Sequence, residues 1–293
     1  MSGSAPRISV VVIVRDGERF LAEALDSILA QTETDWEAIV VDDGSRDGTA
    51  AIAAGFVARD PSRFRLVAHP GAANRGMSAS RNLGVAHARG TFVTFLDHDD
   101  AMLPEKLARQ SALLERHRGC AAVIGPNIRW HSWRGDGAAD GVQDLGVATD
   151  ARLAAPGLLP VFLVRTSATP QSPMVRREAI DAVGGFDEAF TDMYEDQVFF
   201  SKLFLHGSVL VDTEPLHRYR QHDDSCVRRT HRDGRQRAAR RRFLRWLQVR
   251  LAQVDDPVAE GLRPVVAAEI RASWFASLRA VPSRVRALLR LRR

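Results

Sequence analysis

Four short runs of consecutive apolar, mostly β-branched residues punctuate the first hundred positions: ISVVVIV (8–14), EAIVVDD (37–43), RFRLVAH (63–69) and TFVTFLD (91–97). Runs without polar alternation predict strands buried on both faces, the pattern of a parallel sheet. Between them the apolar positions move to helical spacing. Phe20, Leu21, Leu25 and Ile28 line one face of residues 18–31, a second helix opens near Thr49, and SASRNLGVAHA (78–88) follows the third strand. Strand and helix alternate, so the first hundred residues predict a doubly wound α/β unit.

From Cys120 onward the alternation is less regular. GCAAVIGPNIRW (119–130) and QSPMVRR (171–177) are expected strands, with a Gly-rich, mobile surface loop at 135–146 between them. Beyond Arg228 the pattern becomes helical again. Phe243, Leu244, Leu247 and Leu251 form an apolar stripe among arginines, Pro257 and Pro264 are expected to punctuate the helix, and residues 269–281 and 283–293 continue as further helices. We therefore divide the chain into an α/β body, 1–227, and a helical C-terminal appendage, 228–293.

Composition bounds the class. The chain has 293 residues, 45% hydrophobic and 26% charged, enough for a sizeable core. No window approaches about 18 uninterrupted apolar residues and the N-terminus has no signal-peptide design, so neither a membrane span nor secretion is expected. Cys120 and Cys226 match no metal or disulfide spacing. A cytoplasmic location follows, with peripheral contact on the inner face of the membrane as the alternative. The net charge of +5 conceals an asymmetry: residues 227–293 hold 18 arginines and five acids, which leaves the body acidic. Only two of the 41 basic residues are lysine, a bias we attribute to base composition rather than to phosphate clamps.

In open α/β sheets ligands sit at the carboxyl ends of the strands. Charged residues recur there: Arg15 and Asp16 after the first strand, Asp42 and Asp43 after the second, Asp97, Asp99 and Asp100 after the fourth. Three carboxylates within four positions repel one another. Asp99 or Asp100 could cap the helix that begins near Pro104; alternatively the cluster holds a hard divalent cation completed by phosphate oxygens. Glu195 and Asp196, at the start of another helical pattern, are open to two readings as well. They form an acidic N-terminus stabilised by the helix dipole, or a carboxylate base whose pKa is raised by its neighbour.

The order of VVIVRDGERFLAEALDSILAQT, VVDDGSRDGT, GMSASRNLGVAHARGTFVTFLDHDDAMLPEKL, GGFDE and YEDQVFF, across roughly residues 8–225, resembles the family 2 glycosyltransferases of GT-A fold. The resemblance implies a mostly parallel central sheet with flanking helices. It also implies inverting transfer of a single sugar from a nucleotide-diphosphate sugar, usually a UDP-sugar, to a hydroxyl acceptor. By position, it assigns Val14, Asp16, Asp43, Arg81 and Asp97 to the nucleotide, Asp99 and His222 to Mn²⁺ or Mg²⁺, and Asp196 to the general base, with Glu195 orienting the acceptor. One departure concerns the nucleotide: Arg15 and Asp16 stand where the family more often has tyrosine and asparagine. RFLRW (242–246) resembles the R-x-x-R-W motif of processive synthases, but without membrane spans a single-sugar transferase is expected.

The acceptor implied is a glycan, a lipid-linked sugar or a small-molecule hydroxyl in bacterial polysaccharide or glycoconjugate assembly. A GT-A-fold protein that binds a nucleotide sugar without turnover is the alternative; the presence of both Asp99 and Asp196 weighs against it. A nucleotidyltransferase would carry a Gly-rich basic signature near the first strand, which VIVRDGERF is not. For the basic tail we expect packing on protein or a second copy of the chain first and contact with an anionic membrane surface next. It has no nucleic-acid-binding motif, and no nucleic-acid partner is expected.

Overall fold

A computed structural model of the chain describes residues 5–156, 158–164, 172–191 and 193–279. The four apolar runs become β1 (Ile8–Val14), β2 (Trp36–Asp42), β3 (Phe64–Ala68) and β4 (Phe92–Asp97), joined by α1 (Leu21–Leu29), α2 (Thr49–Arg59) and α3 (Met77–His87). Every residue of β1 and β2 is buried, as unbroken apolar runs require. The next elements are β5 (Ala101–Met102), α4 (Lys106–Arg116), β6 (Cys120–Ile124), β7 (Asn127–Trp130), β8 (Gly141–Val142) and β9 (Ala151–Leu153). They are followed by α5 (Leu159–Val164), β10 (Met174–Arg176), α6 (Arg177–Ala182), α7 (Glu195–His206), β11 (Ser208–Val211) and β12 (His217–Arg220).

The strands form an eight-stranded sheet of order β3-β2-β1-β4-β10-β6-β11-β9 and a four-stranded sheet of order β5-β12-β7-β8. Strands β1 to β4 pair in parallel, β11 runs parallel to β6, and β10 and β9 run antiparallel to their neighbours. The chain leaves β1 toward β2 on one side and returns to β4 on the other. This is a topological switch point, and the crevice it creates lies at the carboxyl ends of β1, β2 and β4.

Close packing of α3 on β1 and β2 depends on Gly84. A Cβ there would lie 2.3 Å from a methyl of Val11 and 3.2 Å from one of Val41. We expect Gly84→Ala to destabilise the protein by about 1–3 kcal/mol through overpacking, read as a lower urea midpoint with an unchanged slope.

Three expectations are revised here. The region 119–130 holds two strands, β6 and β7, because Gly125 and Pro126 interrupt it. The loop 135–146 is tied down in part: the Asp140 carboxylate accepts hydrogen bonds from the backbone N–H of His131 and Ser132 at 2.7 and 2.8 Å, and β8 pairs with β7. Neither Asp99 nor Asp100 caps α4, which begins with no side-chain cap; both carboxylates are engaged elsewhere.

The chain divides into two compact units after Cys226. The C-terminal unit contains α9 (Gln236–Ala252) and α10 (Pro257–Arg279), preceded by the short α8 (Cys226–Arg232). α9 and α10 pack on each other, and Phe243, Leu244, Leu247 and Leu251 are buried as the stripe predicts. Pro257 opens α10, but Pro264 lies inside it instead of ending it. Proline removes one backbone hydrogen bond to the residue four earlier, and both Glu260 and Pro264 are exposed, so that carbonyl can turn to water. The helix expected at 283–293 lies outside the described residues. Among the described residues no helix is long and apolar enough to cross a membrane.

Candidate active site

The loops after β1 and β2 interlock at the crevice. The backbone N–H groups of Asp16, Gly17 and Glu18 donate to Ser45 Oγ (2.9 Å), Thr49 Oγ1 (2.8 Å) and Asp47 Oδ2 (3.0 Å). In return the N–H groups of Arg46 and Gly48 donate to Asp16 Oδ1 (2.8 Å) and Glu18 Oε2 (2.9 Å). Asp16 adopts φ +50°, a conformation that short polar side chains tolerate. Gly17 must be glycine, since a Cβ would stand 2.5 Å from the His98 ring and from a Val14 methyl. The acid loop after β4 is thereby pressed against the loop after β1.

Not every residue assigned to the nucleotide faces open space. Val14 is buried in the core cluster, and its carbonyl accepts the Asp43 N–H at 2.8 Å. The Asp43 carboxylate is itself occupied, accepting from Asn74 Nδ2 and from the backbone N–H of Arg75 and Gly76 at 2.7–3.0 Å. It anchors the turn that leads into α3. Asp16 is half exposed, with one oxygen on Arg46.

The acid loop 97–100 splits its three carboxylates among different partners. Asp100 is 1% exposed; it meets His217 Nε2 at 2.8 Å and accepts the Arg220 N–H at 2.9 Å. Burial, with the charges of Asp99 and Asp97 added, pushes its carboxyl well above the ordinary aspartate range. Burial and the Lys106 ammonium push His217 down to about 3, so both members of the pair are driven toward uncharged forms. Asp99 meets His222 Nε2 at 2.8 Å. Burial opposes its ionisation, but the hydrogen bond to His222 and the charges of His98 and His222 outweigh burial and hold it below the ordinary range. Asp99 is therefore the carboxylate of this loop that keeps its charge beside an imidazole.

The third partner set belongs to Arg81, on α3. Its guanidinium donates to Glu195 Oε1 through Nη1 and to Asp97 Oδ1 through Nη2, the latter at 2.8 Å. It bridges the end of β4 and the start of α7, a commitment to two carboxylates rather than to open solvent. Glu195 is 4% exposed, and among the described residues its Oε2 has no hydrogen-bond partner. Burial pushes its carboxyl up to about 8, against the pull of Arg81 and with a push from Asp196. Burial likewise raises Asp196, opposed by Arg81, while one Asp196 oxygen accepts the Gln197 N–H at 2.7 Å. Tyr194, just before the helix, holds φ +73°, a left-handed conformation unusual for a bulky residue.

Replacing Arg81 by methionine would leave Glu195 and Asp97 without their cation. We expect a loss of about 1–3 kcal/mol at neutral pH, the cost of buried acceptors left without their donor. Glu195 already has a folded-state pKa above its unfolded value, so protonation favours the folded state, fully below about pH 4.5 and decreasingly as pH rises through about 8. Arg81 favours the ionised carboxyl, which becomes abundant in the wild type only as pH rises through about 8, so the deficit of Arg81→Met should be steady on the acid side and grow as pH rises past about 8, measured by urea unfolding at about pH 6 and about pH 9.

The donor set available for a cation is Asp99 and His222. Among the described residues no group of three or more His, Cys, Asp or Glu side chains could by itself enclose a metal. Two protein ligands suit Mg²⁺ or Mn²⁺, which are commonly bound by one or two side chains and completed by phosphate oxygens and water. The His222 ring is also fixed, against Phe20 at 5.1 Å. The residues present fit the ion.

Sequence reasoning did not find His217 and Arg220. Both lie on β12, whose sequence HRYR has no aliphatic residue to mark a strand. No hydropathy signal was available, since burial along the strand runs buried, exposed, half-buried, buried and does not follow a period of two.

Residues 9–144 match the model of Glycosyl transferase family 2. A putative glycosyltransferase of Bacillus subtilis, EpsE, is 39% identical over 115 residues, covering 39% of this chain and 41% of that protein. The match thus spans less than half the length of the curated relatives of B. subtilis. The crystal structure of residues 1–349 of S. aureus TarS has a TM-score of 0.68 at 20% identity, covering 92% of this chain and 72% of that one. TarS has also been crystallised with UDP and with UDP-GlcNAc. The mannosyltransferase PcManGT of Pyrobaculum calidifontis, in complex with GDP-Man and Mn²⁺, gives 0.61 at 18% identity, covering 98% and 79%. These likenesses establish the GT-A fold, and residues 9–144 are similar to glycosyl transferase family 2.

Proposed function

We propose that the chain is an inverting, metal-dependent glycosyltransferase that moves one sugar from a nucleotide-diphosphate sugar to an acceptor hydroxyl. The observation that carries this reading is the placement of two carboxylate groups in one region, Asp99 against His222 at 2.8 Å and the Glu195–Asp196 pair at the start of α7, joined through Arg81 to Asp97. Against burial, the hydrogen bond to His222 holds the Asp99 carboxyl low, whereas burial raises both Asp196 and Glu195, and Arg81 bridges Glu195 to Asp97. Carboxylates whose environments drive their pKa values apart mark divided chemical roles.

In this reading the interlocked loops 15–18 and 44–49 form one wall of the nucleotide site, Asp43 keeps the turn before α3 in place, and Asp97 faces the ribose. Asp99 and His222 hold the cation. When bound, Mn²⁺ or Mg²⁺ supplies positive charge to the leaving diphosphate. Asp196 accepts the proton of the acceptor hydroxyl as its oxygen attacks the anomeric carbon; the bond from that carbon to the diphosphate oxygen breaks, and the configuration inverts. A raised carboxyl suits a base that must take a proton from a poor donor near neutrality. Glu195 orients the acceptor, and its unpartnered Oε2 is a site for an acceptor hydroxyl.

UDP-sugars are the first donors to try, supported by the TarS complexes, and GDP-sugars the second, supported by PcManGT. The acceptor is a glycan, lipid-linked or small-molecule hydroxyl. We place catalysis in residues 1–227 and assign residues 228–293 to contact with protein or an anionic membrane. The test is incubation with UDP- and GDP-sugars, Mn²⁺ and an acceptor panel, with NMR of any product. We expect nucleotide diphosphate release, and a β-linked product from an α-linked donor. Tight nucleotide-sugar binding without turnover over the whole panel would favour a binding protein, and an α-linked product would overturn inversion.

A further inference from the structure

Arg220 is a buried guanidinium for which neither the fold nor the proposed chemistry has yet accounted. Its side chain is 2% exposed and sits in an aromatic box, 4.1 Å from the centre of the Trp130 ring, 4.6 Å from Phe20 and 5.1 Å from Trp133. Nη2 is 2.5 Å from Glu23 Oε2 on α1, and Nε donates to the backbone carbonyl of Asp99 at 2.7 Å. Its own N–H donates to Asp100 Oδ1 at 2.9 Å. Two residues later His222 meets the Asp99 carboxylate, and the His222 ring lies on the same Phe20 that covers the Arg220 guanidinium.

We propose that Arg220 is a positioning residue for the cation site, holding the backbone of Asp99 and the ring of His222 in the mutual geometry that binds the metal. This rests on the assignment of Asp99 and His222 as its ligands.

Burying a cation is expensive, and packing alone is served as well by an apolar side chain of similar volume. A charged donor aimed at one carbonyl fixes the direction of that peptide, and here the peptide carries the carboxylate ligand. Groups behind the ligands of a metal orient them, and removing one commonly lowers metal affinity about 10- to 100-fold. The fork geometry is what matters: Arg220 spans Asp99 and Glu23 with separate nitrogens, whereas lysine offers one point charge.

The test is electron paramagnetic resonance of free Mn²⁺ titrated with the full chain in saturating UDP, for the wild type, Arg220→Lys and Arg220→Met. We expect the Mn²⁺ Kd to rise about 10- to 100-fold in Arg220→Met, with Arg220→Lys between it and the wild type. UDP affinity without metal should stay unchanged, and excess Mn²⁺ should recover part of the turnover. A purely structural Arg220 would lower the Tm and leave the Mn²⁺ Kd where it was, which overturns the proposal. Should Arg220→Met fail to fold, Arg220→Lys decides by the same criterion. Wild-type protein that binds no Mn²⁺ would overturn the metal assignment and this proposal with it; binding that both variants preserve overturns this proposal alone.

Discussion

Asp196→Asn is expected to reduce kcat about 10²–10⁴-fold, the usual contribution of a positioned general base, while leaving the affinity for nucleotide diphosphate nearly intact. Asparagine keeps the size of the side chain and can still accept the Gln197 N–H that holds Asp196 Oδ1. It cannot take a proton. The loss should appear in kcat, with the donor KM little changed, because the interaction removed is made only as the acceptor hydroxyl reacts. The wild-type rate should also fall on the acid side at a pH above that expected of an ordinary aspartate, since burial raises Asp196. Protonation removes the base, so activity is lost as pH drops, and this limb should vanish from the residual activity of the variant. Steady-state kinetics from pH 5 to 8 would check both points. An unchanged kcat in a folded Asp196→Asn variant would remove the base assignment and return Glu195 and Asp196 to the role of an acidic helix start stabilised by the dipole.

How much of this was legible depended on how each element carries its information. β1, β2 and β4 are marked by unbroken apolar runs, and α1 by the spacing of Phe20, Leu21, Leu25 and Ile28, so their faces and order could be read locally. β5, at two residues, and β12, as HRYR, leave no hydropathy signal; they exist because β12 pairs with β5 and β7. Their partners lie far away in sequence, a kind of information that periodicity does not hold. The same limit governed Arg81. Its helix could be foreseen, but its engagement by both Asp97 and Glu195 follows from α7 meeting α3 in space. Asp43 likewise sits at the predicted strand end, yet much of its hydrogen-bonding capacity serves the turn at 74–76. Asp99 and His222 are 123 residues apart and were paired by family resemblance alone; the 2.8 Å contact supplies the physical reason.

That contact makes Asp99→Asn the variant with the sharpest expected phenotype in binding. The acid loop contains three aspartates, and their environments differ in the one property a cation reads, which is charge. Asp100 is pushed toward its neutral form and Asp97 is paired with Arg81, whereas Asp99 is held ionised against burial by His222 and His98. Asparagine at position 99 can still accept a hydrogen bond from His222, so the fold should survive with at most a modest change in Tm. The charge would be gone, and an amide oxygen is a far poorer partner for a divalent cation than a carboxylate. Calorimetric titration with UDP should show Mn²⁺-dependent affinity in the wild type and a loss of about 10²-fold or more in the variant, equivalent to roughly 2.7 kcal/mol or more. In the absence of Mn²⁺ the two proteins should bind UDP alike. Turnover should fall in parallel, since the ion offsets charge on the departing diphosphate. Equal Mn²⁺ dependence in both proteins would show that the cation is held elsewhere, and Asp97, at the end of β4 and facing Arg81, would then be the carboxylate to replace next.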